Sequence, residues 1–390
     1  VAHVTHNADS SASKGLDISG NAATITDLVH SANSRIDLGA NLTITNDFNI
    51  NGKTMILTGT NTLDGGDITL NDANSLIQTK SACTINNNLD FTVAPASAKG
   101  IDIDVSGATI AGDLTVTANG LIDIADNTTL FYNGAVITTG TKTLTVTGAN
   151  KTTSIFKGNN GVRIDDNGTL AIGGNCVFRT PITLNGTGTS TLSLGTNSLL
   201  YDTSPAATID VGNKTFAITG TGDLSNNSTG TLRLNNANSL VTLAGGTVRH
   251  VTQNVDAAST KGISCSADSV IDTLVMNNNT EVRGTGDLLI TNNFNLGANT
   301  INVAGTGDLS GGRITLNNAD SLFQRSGVGS VFNDVYVSAA PNTGKGIVID
   351  ASGTVFRGDI SLNNVDATVD INGVTFTYSG KTISTGTNDL

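Results

Sequence analysis

The chain of 390 residues is poor in the residues that large globular cores and nucleic-acid surfaces use. It has no tryptophan, four prolines, eleven phenylalanines and four tyrosines, whereas a compact core of this size normally buries many aromatic rings. Lys and Arg number 20 against 32 Asp and Glu, which gives a net charge of −12. Such an acidic chain is predicted to bind neither nucleic acid nor anionic lipid. These shortages favour a thin core of aliphatic side chains.

Glutamate, cysteine and long apolar runs are also scarce. Glu281 is the only glutamate, and because Asp suits turns whereas Glu suits helices, this predicts a turn-rich chain with almost no helix. Cys83, Cys176 and Cys265 lie far apart and are predicted to be small core residues. No apolar run is long enough to span a membrane, so no transmembrane segment is expected. The chain starts at Val1 without a signal peptide, which indicates a removed leader or a fragment.

Repetition is what the chain has in abundance. The segment Val4–Gln78 returns as Val251–Gln324. A Lys-Gly-aliphatic block recurs at Lys14, Lys99, Lys261 and Lys345, and a second block, "KTMILTGTNTL" in its first copy, recurs at Lys53, Lys142, Lys214, Asn299 and Lys381. The second block recurs at steps of 89, 72, 85 and 82 residues. We therefore predict imperfect repeats of about 80 residues over 1–78, 79–160, 161–250, 251–324 and 325–390.

The repeats contain alternating apolar residues that predict short strands. Ile101, Ile103 and Val105 alternate with Asp102 and Asp104, which is the period of a strand with one buried face. Gly, Asn, Asp and Ser separate such runs and are typical of turns. These features predict an all-β chain, a single parallel β-solenoid over 1–390, in the right-handed form. A turn would hold roughly 18 to 25 residues, so each repeat would hold about four turns. The rod would be about 80 to 100 Å long. A tandem of β-sandwich domains is the alternative.

Three segments carry a resemblance to known proteins: "GTKTLTVTGANKTTS" from Gly140, "LTITNDFNINGKTMILTGTN" from Leu42 and "LTGTNTLDGGDITLNDANSL" from Leu57. Their composition and rhythm resemble the passenger repeats of bacterial autotransporters and filamentous-haemagglutinin-like adhesins. The resemblance implies a right-handed β-helix displayed at the bacterial surface. Phage tail spikes have similar sequences. Neither the serine-protease motif nor the C-terminal barrel of autotransporters is present in the chain.

The residues that resemble parts of an active site are all interpreted as structural residues. A glycosidase needs two carboxylates at a defined separation, but Asp102 and Asp104 are predicted to face solvent from one strand, and Asp165 with Asp166 is typical of a turn. His3 and His6 have a metal-like spacing only on a helix, because residues three apart on a strand point to opposite faces. We therefore predict no catalytic residue, no cofactor and no metal site.

Two further short patterns also have structural interpretations. Arg357, Gly358 and Asp359 form an "RGD" triplet, but an earlier copy has "AGD" from Ala111, so Gly-Asp belongs to the repeat and integrin recognition is not expected. The Thr-x-Thr strings, such as the one from Thr143, are attributed to β-propensity, because they lie tens of residues apart.

The sequence predicts a non-enzymatic structural protein, secreted or at the cell surface: a β-solenoid rod or filament subunit with an adhesive role. Its expected partners are other copies of itself, stacked head to tail, or flanking repeats of the same polypeptide, and surface glycans. Ligands would bind where repeats lengthen, around 119–141 and 180–205. The alternative is a tail-spike-like β-helix that binds or depolymerises polysaccharide through acidic residues.

Overall fold

The computed structural model describes residues 2–10, 15–150, 153–202, 208–226, 231–362, 367 and 369–384. It has two compact units. Unit 1 comprises Val1–Gly186 with Ser190–Ala207, and unit 2 comprises Thr187–Thr189 with Thr208–Leu390. Every regular element in the described residues is a β-strand, which confirms the all-β prediction. No described segment forms a helix long and apolar enough to cross a membrane.

The strands of unit 1 are short, and β26 belongs to the unit from Ser190 onward. They are β1 (His3–His6), β2 (Leu16–Asp17), β3 (Ala23–Ile25), β4 (Asp27–His30), β5 (Ser34–Leu38), β6 (Leu42–Ile44), β7 (Phe48–Asn49), β8 (Thr54–Gly59), β9 (Thr62–Gly65), β10 (Ile68–Leu70), β11 (Leu76–Thr79), β12 (Thr84–Ile85), β13 (Leu89–Phe91), β14 (Gly100–Ile103), β15 (Thr109–Ile110), β16 (Leu114–Val116), β17 (Gly120–Ile124), β18 (Thr129–Tyr132), β19 (Ile137–Thr138), β20 (Thr143–Gly148), β21 (Ile155–Gly158), β22 (Val162–Ile164), β23 (Thr169–Ile172), β24 (Cys176–Arg179), β25 (Ile182–Leu184), β26 (Thr189–Gly195) and β27 (Leu199–Tyr201).

The strands of unit 2 follow the same rhythm. They are β28 (Thr208–Asp210), β29 (Thr215–Gly220), β30 (Asp223–Asn226), β31 (Thr231–Leu234), β32 (Leu240–Ala244), β33 (Thr247–Gln253), β34 (Gly262–Ala267), β35 (Ser269–Met276), β36 (Thr280–Gly284), β37 (Leu288–Ile290), β38 (Phe294–Asn295), β39 (Thr300–Val303), β40 (Leu309–Gly311), β41 (Ile314–Leu316), β42 (Leu322–Arg325), β43 (Ser330–Val331), β44 (Val335–Val337), β45 (Gly346–Ile349), β46 (Val355–Phe356), β47 (Ile360–Leu362), β48 (Val369–Ile371), β49 (Thr377–Tyr378) and β50 (Ile383–Ser384).

In most turns of the chain, one strand lies on each of three faces. In unit 1, β8, β9 and β10 follow one another, and each pairs in parallel with the strand of the next turn, β11, β12 and β13. We call these the first, second and third faces; in unit 2 they are represented by β42, β43 and β44, which pair with β45, β46 and β47. Stacked parallel strands of this kind are a parallel β-solenoid, which confirms the predicted fold class. The right-handed sense and the single solenoid over 1–390 stay predictions.

The structural repeat is one turn of about 22 residues rather than the sequence unit of about 80. Ile36 pairs with Leu57 and Leu57 with Thr79, so two successive turns differ by 21 and 22 residues. Two copies of the second sequence block lie in β8 and β20, which are four turns apart through β11, β14 and β17. The sequence repeat is thus a group of turns, as the estimate of about four turns per repeat predicted.

Alternating side chains fill a thin aliphatic core. Met55, Ile77, Ile101, Ile122 and Val146 pair in series on the first face, and each is 0% exposed. Successive residues of a strand point to opposite faces, so each turn sends the same column inward. Burying an aliphatic side chain of this size contributes about 1.5 to 3 kcal/mol before the loss of chain entropy. Such columns bind one turn to the next.

The three cysteines lie in this core as predicted. Cys83, Cys176 and Cys265 are free thiols and are buried. Burial raises the pKa of Cys83 to about 11 and the pKa values of Cys176 and Cys265 to about 12. The thiolate is the reactive form, so these residues are inert packing groups.

Candidate functional site

Asp and Asn side chains form ladders at the corner between the second and third faces. In unit 1, Asp47 Oδ1 accepts a hydrogen bond from the backbone N–H of Asp67 on the next turn, at 2.8 Å. Asn88 Oδ1 accepts one from Asp113 N at 2.9 Å, and Asp113 Oδ1 accepts one from Ala135 N at 2.7 Å. Backbone donors at a bend have no strand partner, so these side chains replace the missing ladder bond. The acidic corner residues therefore hold turns together.

The RGD triplet is part of the same ladder in unit 2. Asp359 N donates to Asp334 Oδ1 at 2.9 Å, and Asp359 Oδ1 accepts from Lys381 N at 2.7 Å. Gly358 N donates to the backbone of the preceding turn. The carboxylate and the glycine are both used by the solenoid corner, which agrees with the interpretation of Gly-Asp as a repeat feature. Only Arg357 projects from the triplet as an exposed side chain.

A cluster of three carboxylates, those of Asp102, Asp104 and Asp123, lies on the outer side of the first face. Asp102 accepts a hydrogen bond from Gln78 Nε2 at 2.7 Å, and Asp104 forms an ion pair with Lys80. Asp102 pairs in register with Asp123 of the next turn. Burial raises the pKa values of both Asp102 and Asp123, and the nearby carboxylate of Asp104 raises them further. Asp102 and Asp104 both point outward and are half-buried, as the alternation predicted.

The other copy of this segment does not retain the carboxylate pair. Asp350 stands at the position of Asp104 and accepts a hydrogen bond from Gln324 Nε2 at 2.5 Å. At the position of Asp102 the second copy has Val348. Both copies thus keep a carboxylate that contacts the preceding turn, but the glutamine bonds Asp102 in the first copy and Asp350, the counterpart of Asp104, in the second.

Asp165 and Asp166 lie in a turn, as predicted. The turn follows β22 and continues through residue 167. Asp165 Oδ1 accepts from Asn185 Nδ2 at 2.7 Å, and its Oδ2 accepts from Gly140 N at 3.0 Å. The carboxylate bridges the turns on both sides of it, which is a structural role.

His3 and His6 do not converge on one site. Both lie in β1, where His3 forms an ion pair with Asp27 and its side chain is 72% exposed. His6 Nε2 lies 2.9 Å from Ser10 Oγ and pairs in register with His30 of the next turn. Among the described residues, no group of three or more His, Cys, Asp or Glu side chains is arranged to hold a metal ion.

His30 forms a buried serine–histidine pair that the sequence analysis did not single out. Its Nδ1 donates to the carbonyl of Ile50 at 3.2 Å, so Nε2 is the acceptor for Ser34 Oγ. Burial lowers the pKa of His30, which keeps the ring neutral in this arrangement. His30 is 1% and Ser34 3% exposed. A reactant cannot reach the pair, so it is a satisfied core contact.

The threonine strings lie on different faces. Thr43 is in β6 on the second face, Thr115 in β16 on the third and Thr143 in β20 on the first. They therefore form no single array. Residues tens of positions apart do become neighbours, however: Thr143, Thr169 and Thr191 pair in series on the first face. Separation in sequence was thus a poor reason to dismiss an array, although the strings themselves do not form one.

The segments expected to carry ligand-binding loops alternate short strands with turns. Residues 119–141 contain β17, β18 and β19, and the described part of 180–205 contains β25, β26 and β27. Residues 203–205 lie outside the described residues. Ligand binding by these two segments stays a prediction.

Unit 2 carries a surface that the sequence analysis missed, formed by Arg313, Phe332, Tyr336 and Arg357. We call it the arginine–aromatic surface. The Arg357 guanidinium lies 5.2 Å from the centroid of the Phe332 ring, and the Arg313 guanidinium lies 4.9 Å from the centroid of the Tyr336 ring. Phe332 is 44% exposed. The four residues come from three consecutive turns, because β41, β44 and β47 pair in series.

A comparison of repeat copies at an offset of 246 residues would have found this surface. The earlier copy has Asp67, Asn86, Asp90 and Ala111 at the four positions. The backbone contacts are the same in both copies: Ala111 N donates to Ile85 O, as Arg357 N donates to Val331 O. All four exposed positions differ, whereas the surrounding scaffold is shared.

Comparisons with protein-family models, with curated proteins and with solved structures each gave no match. The functional argument therefore depends on the residues themselves. The described geometry offers a scaffold with inter-turn polar ladders and, in unit 2, the exposed arginine–aromatic surface.

Proposed function

We propose that the chain is a non-enzymatic structural protein of the cell surface or extracellular space, a β-solenoid rod or filament subunit with an adhesive role. The observation that supports the proposal most directly is that the polar corner residues bond neighbouring turns to each other. At the corners of both units, carboxylates and amides bond the backbone of the adjacent turn. Duplicating such a segment extends a scaffold, because the shared residues are core, turn and ladder residues.

The proposed partners are other copies of the chain or flanking repeats of the same polypeptide. Among the described residues, β2 pairs with β5 and β3 with β6 on one edge only, and β48 and β50 likewise pair only with β45 and β47. An open edge strand presents N–H and C=O groups to which another strand can add. A further solenoid turn, in the same polypeptide or in another copy, is the partner of matching geometry.

Electron microscopy of the purified chain across a concentration series tests this proposal. We expect elongated particles that join end to end as the concentration rises. The same series with Ile383→Pro in β50 should abolish joining, because the Ile383 N–H points away from β47, as the bond from Ile360 N to Thr382 O shows, and proline removes that donor without breaking a bond to β47. Compact, monodisperse particles at every concentration would contradict the proposal.

A tail-spike-like polysaccharide depolymerase is the second candidate. One observation favours it: Asp102 and Asp123 lie on adjacent turns, and burial raises the pKa of each, as a general acid requires. In this case the chain should release oligosaccharides from surface polysaccharides, and Asp102→Asn should abolish release. An absence of release across a broad panel excludes this candidate and leaves the structural role.

A further inference from the structure

We propose that the arginine–aromatic surface of unit 2 binds an acidic polysaccharide through its carboxylate groups and sugar faces. This inference deepens the adhesive part of the proposed function and rests on it. It names a ligand class and a location, which the solenoid fold alone does not.

The two guanidinium groups are held in place but are not neutralised. Each stacks on an aromatic ring, Arg313 on Tyr336 and Arg357 on Phe332. Among the described residues, neither arginine forms an ion pair with a carboxylate. A stacked guanidinium keeps its in-plane N–H donors available, and holding it in advance lowers the entropy lost on binding a carboxylate. In a chain of net charge −12, two stacked arginines outside any ion pair are candidates for binding an anion.

The spacing of the cations suits a polymer with regularly repeated anionic groups. Arg313 precedes β41 and Arg357 follows β46, and the intervening turn contains β43 and β44. The two arginines thus lie two turns apart, which corresponds to about 10 Å along the stack. An extended chain can run along the stack across these turns, beside the corner between the second and third faces.

The neighbouring carboxylates favour a sugar over a simple polyanion. Asp334 and Asp359 lie beside the surface, and all hydrogen bonds that they accept from described residues go to Oδ1. The Oδ2 atom of each can accept a hydrogen bond from a hydroxyl group. Nucleic acid fits this surface less well, because its charge is denser, which increases the repulsion by the two carboxylates, and because it offers few such donors. The exposed ring of Phe332 provides an apolar face for the C–H side of a sugar.

The two repeat copies supply an internal comparison. At the same four positions, the earlier copy has two acidic residues, one amide and one methyl side chain in place of two arginines and two aromatic rings. Both copies retain the corner ladder, with Asp113 and Asp359 at equivalent positions. The residue differences between the two copies therefore leave the corner hydrogen bonds intact and change only the side chains on the outer surface.

The test exchanges these residues between copies in the full chain. The first variant combines Arg313→Asp, Phe332→Asn, Tyr336→Asp and Arg357→Ala; the reciprocal variant combines Asp67→Arg, Asn86→Phe, Asp90→Tyr and Ala111→Arg. Binding is measured by surface plasmon resonance to immobilised hyaluronate, alginate and polygalacturonate, with neutral dextran and polyglutamate as controls. Wild type should bind at least one acidic polysaccharide and not dextran. The first variant should bind roughly 100-fold more weakly, as expected for the loss of two charge-assisted contacts. The reciprocal variant should bind more tightly than wild type.

Four results would overturn the inference. These are no binding of wild type to any of the three acidic polysaccharides, unchanged binding by the first variant while its circular dichroism spectrum is native, equal binding to polyglutamate, and equal binding to dextran. Electron microscopy of the first variant separates the two proposals. If it assembles like wild type but wild type binds no glycan, the ligand assignment fails and the structural role stands.

Discussion

Gly358→Ala is expected to destabilise unit 2 by about 3 kcal/mol, because the new methyl group has no space. A Cβ atom at this position would overlap the carbonyl carbon and oxygen of Asn333 on the preceding turn and would lie 2.9 Å from the amide N of Asp334. All three are backbone atoms, so no side chain can move aside. The turns would have to separate at a corner where Gly358 N donates to Val331 O.

The matched control is Gly344→Ala. Gly344 has a φ of +72° and no atom within 4 Å of an added Cβ, so the substitution should cost only about 1 to 2 kcal/mol for the left-handed backbone. Urea denaturation followed by circular dichroism measures both, and hydrogen exchange of β43–β47 locates the effect, since solenoids need not unfold as one unit. Equal, small losses in the two variants would mean that the turns are not stacked as closely as the structure has them.

Arg325→Ala is also expected to be strongly destabilising, with a loss of about 3 kcal/mol. Arg325 occupies an inward position of β42, in register with Val303 and Ile349, and is 0% exposed. Its Nε donates to Gly329 O at 3.1 Å, its Nη1 to Val303 O at 3.3 Å and its Nη2 to Gly307 O at 3.0 Å. Burial lowers its pKa to about 10. Truncation removes these bonds and leaves a cavity in the core.

Arg325→Met separates the two causes. Methionine fills most of the volume without a buried charge, and replacing buried ionic groups by apolar ones of similar size is often neutral or stabilising. We expect a change within about 1 kcal/mol of wild type in urea denaturation. If Met is as damaging as Ala, the three hydrogen bonds to backbone carbonyls, rather than packing, stabilise this turn. The equivalent position of the earlier copy holds a smaller residue, Thr79, which is 1% exposed.

The fold class could be predicted because its signal is repeated many times. In each strand, alternating apolar residues such as Ile101 and Ile103 indicate which face is buried. Turn residues recur between the strands. The length of a turn was harder to read, because turns of 19 residues, from Ile263 to Val282, and of 26 residues, from Val146 to Ile172, are both present. The four-turn group was visible in the sequence since whole groups were duplicated.

The individual sites were less predictable, because they depend on the register between turns. Arginine is a residue type that is usually exposed, but Arg325 is in register with the inward-facing Val303 and Ile349 and therefore lies in the core. Phe332 and Arg357 are 25 positions apart in the sequence, and only a turn of that length brings them into contact. Asp102 and Asp104 could be placed on the outer side from alternation alone, whereas the proximity of Asp123 could not.

The register between turns is the basis of every contact described here, and a spin-label distance tests it directly. Arg35 and Thr147 lie in one column of the first face, five turns apart through Ile56, Gln78, Asp102 and Asp123. The native cysteines are buried, so the double variant Arg35→Cys with Thr147→Cys can be labelled selectively. Double electron–electron resonance should give a narrow distribution near about 24 Å, five times the strand spacing, plus the label linkers. A broad distribution centred beyond about 35 Å, as for labels in separate domains, would contradict the stacked register.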